Sequence, residues 1–408
     1  MKFEVLKQSH LKRNILIGIA VIVILITIIL TFTRAKYRVT ESIPLVSGTI
    51  NYTPYDLNVI AMYQENESGE YESISTVPSR GYALNKERTY CEVNGEKDDV
   101  ISIEYKNGIV NIGVTQKGTK CYLYFEISIE ASNIIEDIYP DRQDILVYDD
   151  YNNLRYFGAN PDNYVYFNCD DYNNPSSSTC ELWRIIGVFN EDTHEVSGEK
   201  LVKIIRNDSI GSFAWNTSGN NNWTTASLQK SLNEDYLEGN TLGNGKGITE
   251  ETRKMIETIT WKLGGRESDA TTSEYYQTER GTGAYNGMPT EWSGKIALMY
   301  PSDYGYATSG GSTTNRKTCL ETNLDDWSLS DISDCRNNNW LFDGNSQWLL
   351  TPRSAAGSYA YTLRSTGNVY NINFTDMTFV IYPSLYLTYA VSISGGTGSA
   401  SDPFTLKL

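Results

Sequence analysis

The chain has 408 residues, room for two or three domains, with 50 acidic side chains against 34 Lys and Arg. A formal charge of −16 leaves no basic footprint for neutralising phosphates, which argues against a nucleic-acid partner. With 30 Tyr against 11 Phe, much of the aromatic surface keeps a hydroxyl near water, a composition that fits an exported β-rich protein better than a compact cytosolic enzyme.

In chain order, Ile15 to Phe32 is uncharged and interrupted only by Gly18, Thr27 and Thr31. As a helix rising about 1.5 Å per residue, this run nearly matches a hydrocarbon core of about 30 Å. Lys2, Lys7, Lys12 and Arg13 precede it, which places the N-terminus in the cytoplasm, although Arg34, Lys36 and Arg38 follow. The reading is a cytoplasmic tail over 1–14 and a retained transmembrane helix over 15–33, with the bulk of a single-pass protein outside the cell. A cleaved signal peptide is the alternative, with Thr33-Arg34-Ala35 as a loose cleavage site, but the run exceeds the usual apolar core of such signals. A pilin-type helix is weighed too, and the processing signal it needs is missing.

All six cysteines follow this run and fall into three local pairs: Cys91 with Cys121, Cys169 with Cys180, and Cys319 with Cys335. Six cysteines allow fifteen connectivities, so sequential pairing is a preference. A metal site lacks partners, because no C-x-x-C occurs and the two histidines are His10 and His194. Three disulfides in an oxidising compartment is the reading.

Residues 37–130 read as a small all-β, sandwich-like stalk. Its strands are Leu57–Tyr63, Val100–Tyr105, Ile109–Val114 and Cys121–Ile127, with Lys106-Asn107-Gly108 as a tight turn and the Cys91–Cys121 bridge at one edge. Residues 131–153 are poorly periodic, rich in Asp and Glu and broken at Pro140, which predicts a solvated linker.

Residues 154–408 read as one domain. Strand patterns are read in Arg155–Phe167, Leu182–Phe189 and Leu201–Arg206, with Arg155, Arg184 and Arg206 covering apolar edges with their long stems. Two amphipathic helices follow: Thr225–Leu237, with Leu228, Leu232 and Tyr236 on one face, and Thr249–Leu263, with Met255, Ile256, Ile259 and Leu263 on one face. Arg266–Leu341 is long, polar and loop-rich, with one strand-like run at Lys295–Tyr300. Asp325, Asp326, Asp331 and Asp334 lie between Cys319 and Cys335, where clustered carboxylates allow a calcium ion.

The closing stretch alternates apolar and polar residues on both sides of Gly367-Asn368, the pattern of a half-buried antiparallel hairpin. Its density of Tyr, Asn, Ser and Thr suits a recognition surface, since Tyr supplies rigid contact area and Asn or Ser adaptable hydrogen bonds. Trp340, Tyr359, Tyr361, Arg364, Asn368, Tyr370, Asn371 and Asn373 are the candidate ligand contacts.

Opening strands, two helices, a long loop region and a closing hairpin make an α+β order that resembles the C-type-lectin-like fold. Trp348-Leu349-Leu350-Thr351-Pro352-Arg353-Ser354, then Gly367, then Tyr382-Pro383-Ser384-Leu385-Tyr386-Leu387 is similar to the closing signature of its formylglycine-generating-enzyme subtype. Asn160-Pro161-Asp162-Asn163-Tyr164-Val165, Leu182-Trp183-Arg184-Ile185-Ile186-Gly187 and the tail Gly395-Gly396-Thr397-Gly398 resemble a group of Gram-positive bacterial surface proteins. The resemblance implies a ligand surface on the closing hairpin, as in the variable receptor-binding members of that subtype. It does not carry over their copper-binding cysteine chemistry, because no cysteine lies beside the final hairpin.

No Ser-His-Asp set and no phosphate-binding Gly loop can be assembled, so the chain is read as no enzyme, with calcium as its one candidate cofactor. The expected function is a membrane-anchored cell-surface protein or adhesin binding an extracellular glycan or protein. The alternatives are a structural subunit of an envelope or pilus-like assembly, and a carbohydrate-active enzyme with a hidden carboxylate pair.

Overall fold

A computed structural model of the chain describes residues 43–45, 48–52, 58–66, 68–78, 82–98, 101–106, 109–113 and 118–408. The predicted tail and transmembrane segment, 1–14 and 15–33, lie outside these, as does the tip of the Lys106-Asn107-Gly108 turn. Among the described residues no helix is long and apolar enough to cross a membrane. Strand exceeds helix there, 34% against 19%, so among the described residues the predicted α+β class gives way to a mostly β architecture with short helices, and no transmembrane helix is supported.

The chain divides after Ser128 into two compact units. The first has a four-stranded and a six-stranded sheet. Val110 and Ile112 of the smaller sheet share a core with Leu123, Phe125 and Met62 of the larger one, the apolar face that each sheet must bury. Thr119–Ile127 lies inside the larger sheet, parallel to Asn58–Glu65 and antiparallel to Tyr90–Val93. Cys121 faces Cys91 across that second pairing, so the bridge ties neighbouring strands inside the sheet and not its edge.

The second unit, Ile129–Leu408, begins where a solvated linker was predicted. Ala131–Ile138 is instead a helix, with Ala131 and Ile135 buried in the core of this unit, and Leu146–Tyr148 pairs with Leu154–Tyr156. The acids that suggested a linker occupy the solvent side of that helix and the loops beyond it, while Asp149 turns inward.

A seven-stranded sheet is built on Glu181–Phe189 and Leu201–Arg206, buried along almost their whole lengths. Ser384–Tyr386 adds to Leu201–Arg206 and in turn pairs with Ile296–Ala297. A five-stranded sheet carries Gln347–Pro352, Tyr359–Leu363 and, at its edge, Val369–Phe374. The predicted hairpin is present, and Gly367 turns it with φ +85, where a Cβ would strike the Arg336 side chain. Trp183, Trp215, Trp223, Trp261, Trp327 and Trp348 are all fully buried between these layers.

Both predicted helices change. The first is a short α-helix, Ser227–Lys230, continued as a π-helix over Ser231–Tyr236, and Leu228, Leu232 and Tyr236 are buried as their spacing requires. Asn222, not Thr224 or Thr225, caps the 3-10 turn that leads into it. The second ends after one turn, Glu250–Lys254, capped by the Thr249 hydroxyl. Thr258-Ile259-Thr260 is β-branched, and Ile259–Lys262 pairs as a strand with Glu291–Gly294. One helical turn followed by a strand buries Met255, Ile256, Ile259 and Leu263 equally well.

The three disulfides join the sequential pairs, consistent with an oxidising environment. Cys319 and Cys335 are fully buried in the same core as Trp327. Replacing both with Ala is expected to cost about 3 kcal/mol, from the freed loop in the unfolded chain. A urea titration followed by tryptophan fluorescence checks this, and an unchanged midpoint would contradict it.

Candidate functional site

Along Val369–Phe374 the side chains alternate, with Val369, Asn371 and Asn373 inward and Ile372 and Phe374 outward. Most of the hairpin residues chosen from sequence therefore serve the structure. Tyr361 is fully buried and donates to the carbonyls of Arg266 and Ser268 at 3.3 and 3.4 Å. Asn371 donates to Asp269 at 2.9 Å, Asn368 to Asp325 at 2.9 Å and Asn373 to Thr362 at 2.5 Å. Burial first, then the Asp325 and Asp326 charges, raises the Asp269 carboxyl above its ordinary value. Arg364 lies 3.9 Å over the Tyr370 ring and donates to Asn373, and Tyr359 packs on Phe374. What this face offers outward is apolar: Ile372, Phe374 and Met377 are each between 43% and 49% exposed.

The predicted calcium loop does not converge. Asp334 accepts from the Thr313 amide and hydroxyl and the Thr314 amide, and Asp325 holds Asn368. Among the described residues no three Asp, Glu, His or Cys side chains meet in a metal-binding group.

Trp340 lies apart from the hairpin face, in the wall of a cleft of about 470 Å³. The strand Glu181–Phe189 supplies Arg184; the end of Leu201–Arg206 and the loop after it supply Arg206, Asn207, Asp208 and Ser209. The loop leading into Gln347–Pro352 supplies Trp340, Asp343 and Asn345, the strand itself supplies Gln347, and Tyr382 lies against Asp343 and Asn345.

Arg184 is the centre of the basic end. Its cross-strand neighbour is Tyr164, and that register sets the guanidinium 4.1 Å from the Tyr164 ring and 4.6 Å from the Trp340 ring. The Trp340 indole is fixed in turn by donating to the Tyr156 carbonyl at 3.1 Å. Nε donates to Asn163 at 2.8 Å, and Nη2 donates to Asn160 and to the Pro161 carbonyl, both at 3.2 Å. Asn163 is itself buried and anchored on the Ile185 carbonyl. Every one of these acceptors is neutral. Arg184 is 7% exposed and has no carboxylate partner among the described residues. Burial lowers it to about 10, which still leaves it charged at neutral pH. Its neighbour Arg206, by contrast, is paired with Glu181 at 3.1 Å.

The other end is acidic. Asp343 accepts from the Tyr382 hydroxyl and from the amide and side chain of Asn345, both at 2.9 Å. Burial, then the Asp343 carboxylate, holds the Tyr382 proton in place well above the ordinary tyrosine range. The cleft is thus a polar, preorganised surface with a cation at one end and carboxylates, amides and hydroxyls at the other.

Of the three arginines read as edge covers, only Arg206 is partly exposed. Arg155 is buried in an ion network with Asp149 at 2.6 Å and Asp303 at 2.9 Å, and Lys203 reaches Asp303 at 2.5 Å. At 0–1% side-chain exposure, this network ties two strands of the seven-stranded sheet, Leu154–Tyr156 and Leu201–Arg206, to the helix Pro301–Tyr306. His194 is buried and accepts from the Val196 amide. The sequence signal for Arg184 was an arginine inside the apolar run Leu182-Trp183-Arg184-Ile185-Ile186, with Asn160 and Asn163 upstream. No family model, curated protein or solved structure matches the chain.

Proposed function

We propose that the Ile129–Leu408 unit is a ligand-binding module acting outside the cytoplasm, with the Arg184–Tyr382 cleft as its site and a glycan as its ligand. The carrying observation is Arg184, buried and held rigidly at the cleft wall without a counter-charge. Around it, Asn207, Ser209, Asn345 and Gln347 give amides and hydroxyls that match a hydroxyl-rich ligand, beside the apolar Ile205 and Leu341 and the rings of Trp340 and Tyr382. The disulfides fit the compartment where such ligands occur.

A glycan array probed with the intact, oxidised protein tests this. Tyr382→Phe and Asn345→Ala are each expected to weaken binding about tenfold with little change in melting temperature, the cost of losing one good hydrogen bond. Ile372→Ser with Phe374→Ser, on the outward hairpin face, is expected to leave glycan binding unchanged. The opposite pattern would move the site to the hairpin and reject the cleft.

A further inference from the structure

Resting on that reading, we infer that the ligand is an acidic sugar whose carboxylate sits on Nη1 of Arg184, while its hydroxyls face Asp343, Asn345 and the Tyr382 corner. Nε and Nη2 are committed to Asn163, Asn160 and the Pro161 carbonyl, so Nη1 is the nitrogen left for a ligand, with no hydrogen-bond acceptor among the described residues. A buried cation is costly unless it is paired, and every hydrogen-bond and ring partner this one has is neutral. An oxyanion completes the set. Because the guanidinium is already locked by three hydrogen bonds and two rings, the ligand does not have to order it.

The same geometry selects a single carboxylate over a densely sulfated chain. Asp208 and Asp343 share the cleft, and the whole protein carries −16, so each added negative charge is repelled while one is neutralised at Arg184. The acids that repel a polyanion accept sugar hydroxyls well, as charge-assisted hydrogen bonds.

The test is titration calorimetry on the intact, oxidised protein with three tetrasaccharides: one containing hexuronic acid, the same one with its carboxyls reduced to hydroxymethyl groups, and a sulfated one. The expected result is binding of the first, a loss of about 10- to 100-fold on reduction, and weaker binding of the third. Equal binding before and after reduction would overturn the acidic-sugar inference and leave the glycan reading standing. Stronger binding of the sulfated chain would overturn the choice of carboxylate. Binding of none of the three, with array binding to neutral glycans, would overturn the inference alone; no binding anywhere would overturn the glycan reading as well. Arg184→Met is expected to remove the preference for the acid over its reduced form. Should that variant fail to fold, the reduced-sugar comparison on the unaltered protein decides.

Discussion

Replacing Asp303 with Ala is expected to destabilise the Ile129–Leu408 unit by about 3–5 kcal/mol, the range found when one partner leaves a buried ion pair. Asp303 is 1% exposed and takes hydrogen bonds from Arg155, Lys203 and the Tyr300 amide. Without it Arg155 keeps Asp149, but Lys203 keeps only aromatic faces, the nearest being Tyr300 at 4.5 Å. Those rings return part of the lost attraction, about 1–2 kcal/mol at most. Removing the carboxylate therefore leaves a charge in the interior with no partner of opposite sign. All eight tryptophans of the chain lie beyond Ser128, so fluorescence-detected urea unfolding reports this unit alone. A loss below about 1 kcal/mol would contradict the bracing role, because that is the worth of an exposed pair.

Acidification should weaken the fold in two separate windows. His194 is fully buried, and burial pushes it down from 6.5 to about 4. Between those values the unfolded chain holds a proton that the folded chain refuses, so stability falls as pH drops from 6.5 towards 4. The shift corresponds to about 3 kcal/mol across that window. Asp303 and Asp149 behave with the same sign but lower on the scale. Burial pushes both carboxyls up, but Lys203 and Arg155 at Asp303, and Arg155 with the Asn153 hydrogen bonds at Asp149, outweigh it and hold both below the ordinary 3.8, so their stabilisation is present above that value and is lost as pH falls through the lower folded one. Unfolding midpoints taken every half unit from pH 7 to 3 separate the windows. His194→Gln is expected to flatten the upper slope and spare the lower. A flat profile from pH 7 to 4.5 in the unaltered protein would reject the His194 assignment.

These two groups also mark where sequence reading stops. Strands such as Glu181–Phe189 and Leu201–Arg206 were legible because buried strands are runs of β-branched and aromatic residues, which few other conformations tolerate. The hairpin was legible from its alternation around Gly367. Its facing was not, since alternation separates two faces without saying which is inward. Tertiary partners decided that: Asp269 and Thr362 receive Asn371 and Asn373, and Ile372 and Phe374 are left outside. The Thr249–Leu263 helix failed for a related reason, because a helical turn followed by a strand buries the same four apolar residues. The cleft was the least legible feature. Trp340 was found by its type, but Arg184, Asp343 and Tyr382 come from three separate segments, and only the pairing of strands brings them together.

The strand Ser384–Tyr386 sits inside the larger sheet of its unit, held on one side by residues some 180 positions earlier. During synthesis Leu201–Arg206 and Ile296–Ala297 therefore leave the ribosome before the strip that joins them exists. Closing so long a loop is slow and entropically unfavourable, and the open seam on Leu201–Arg206 is a pairing edge in the meantime. Translation at about 5–20 residues per second leaves that seam waiting for many seconds. This sheet stays unclosed until synthesis has passed Tyr386, so its completion is a late, long-range step of folding.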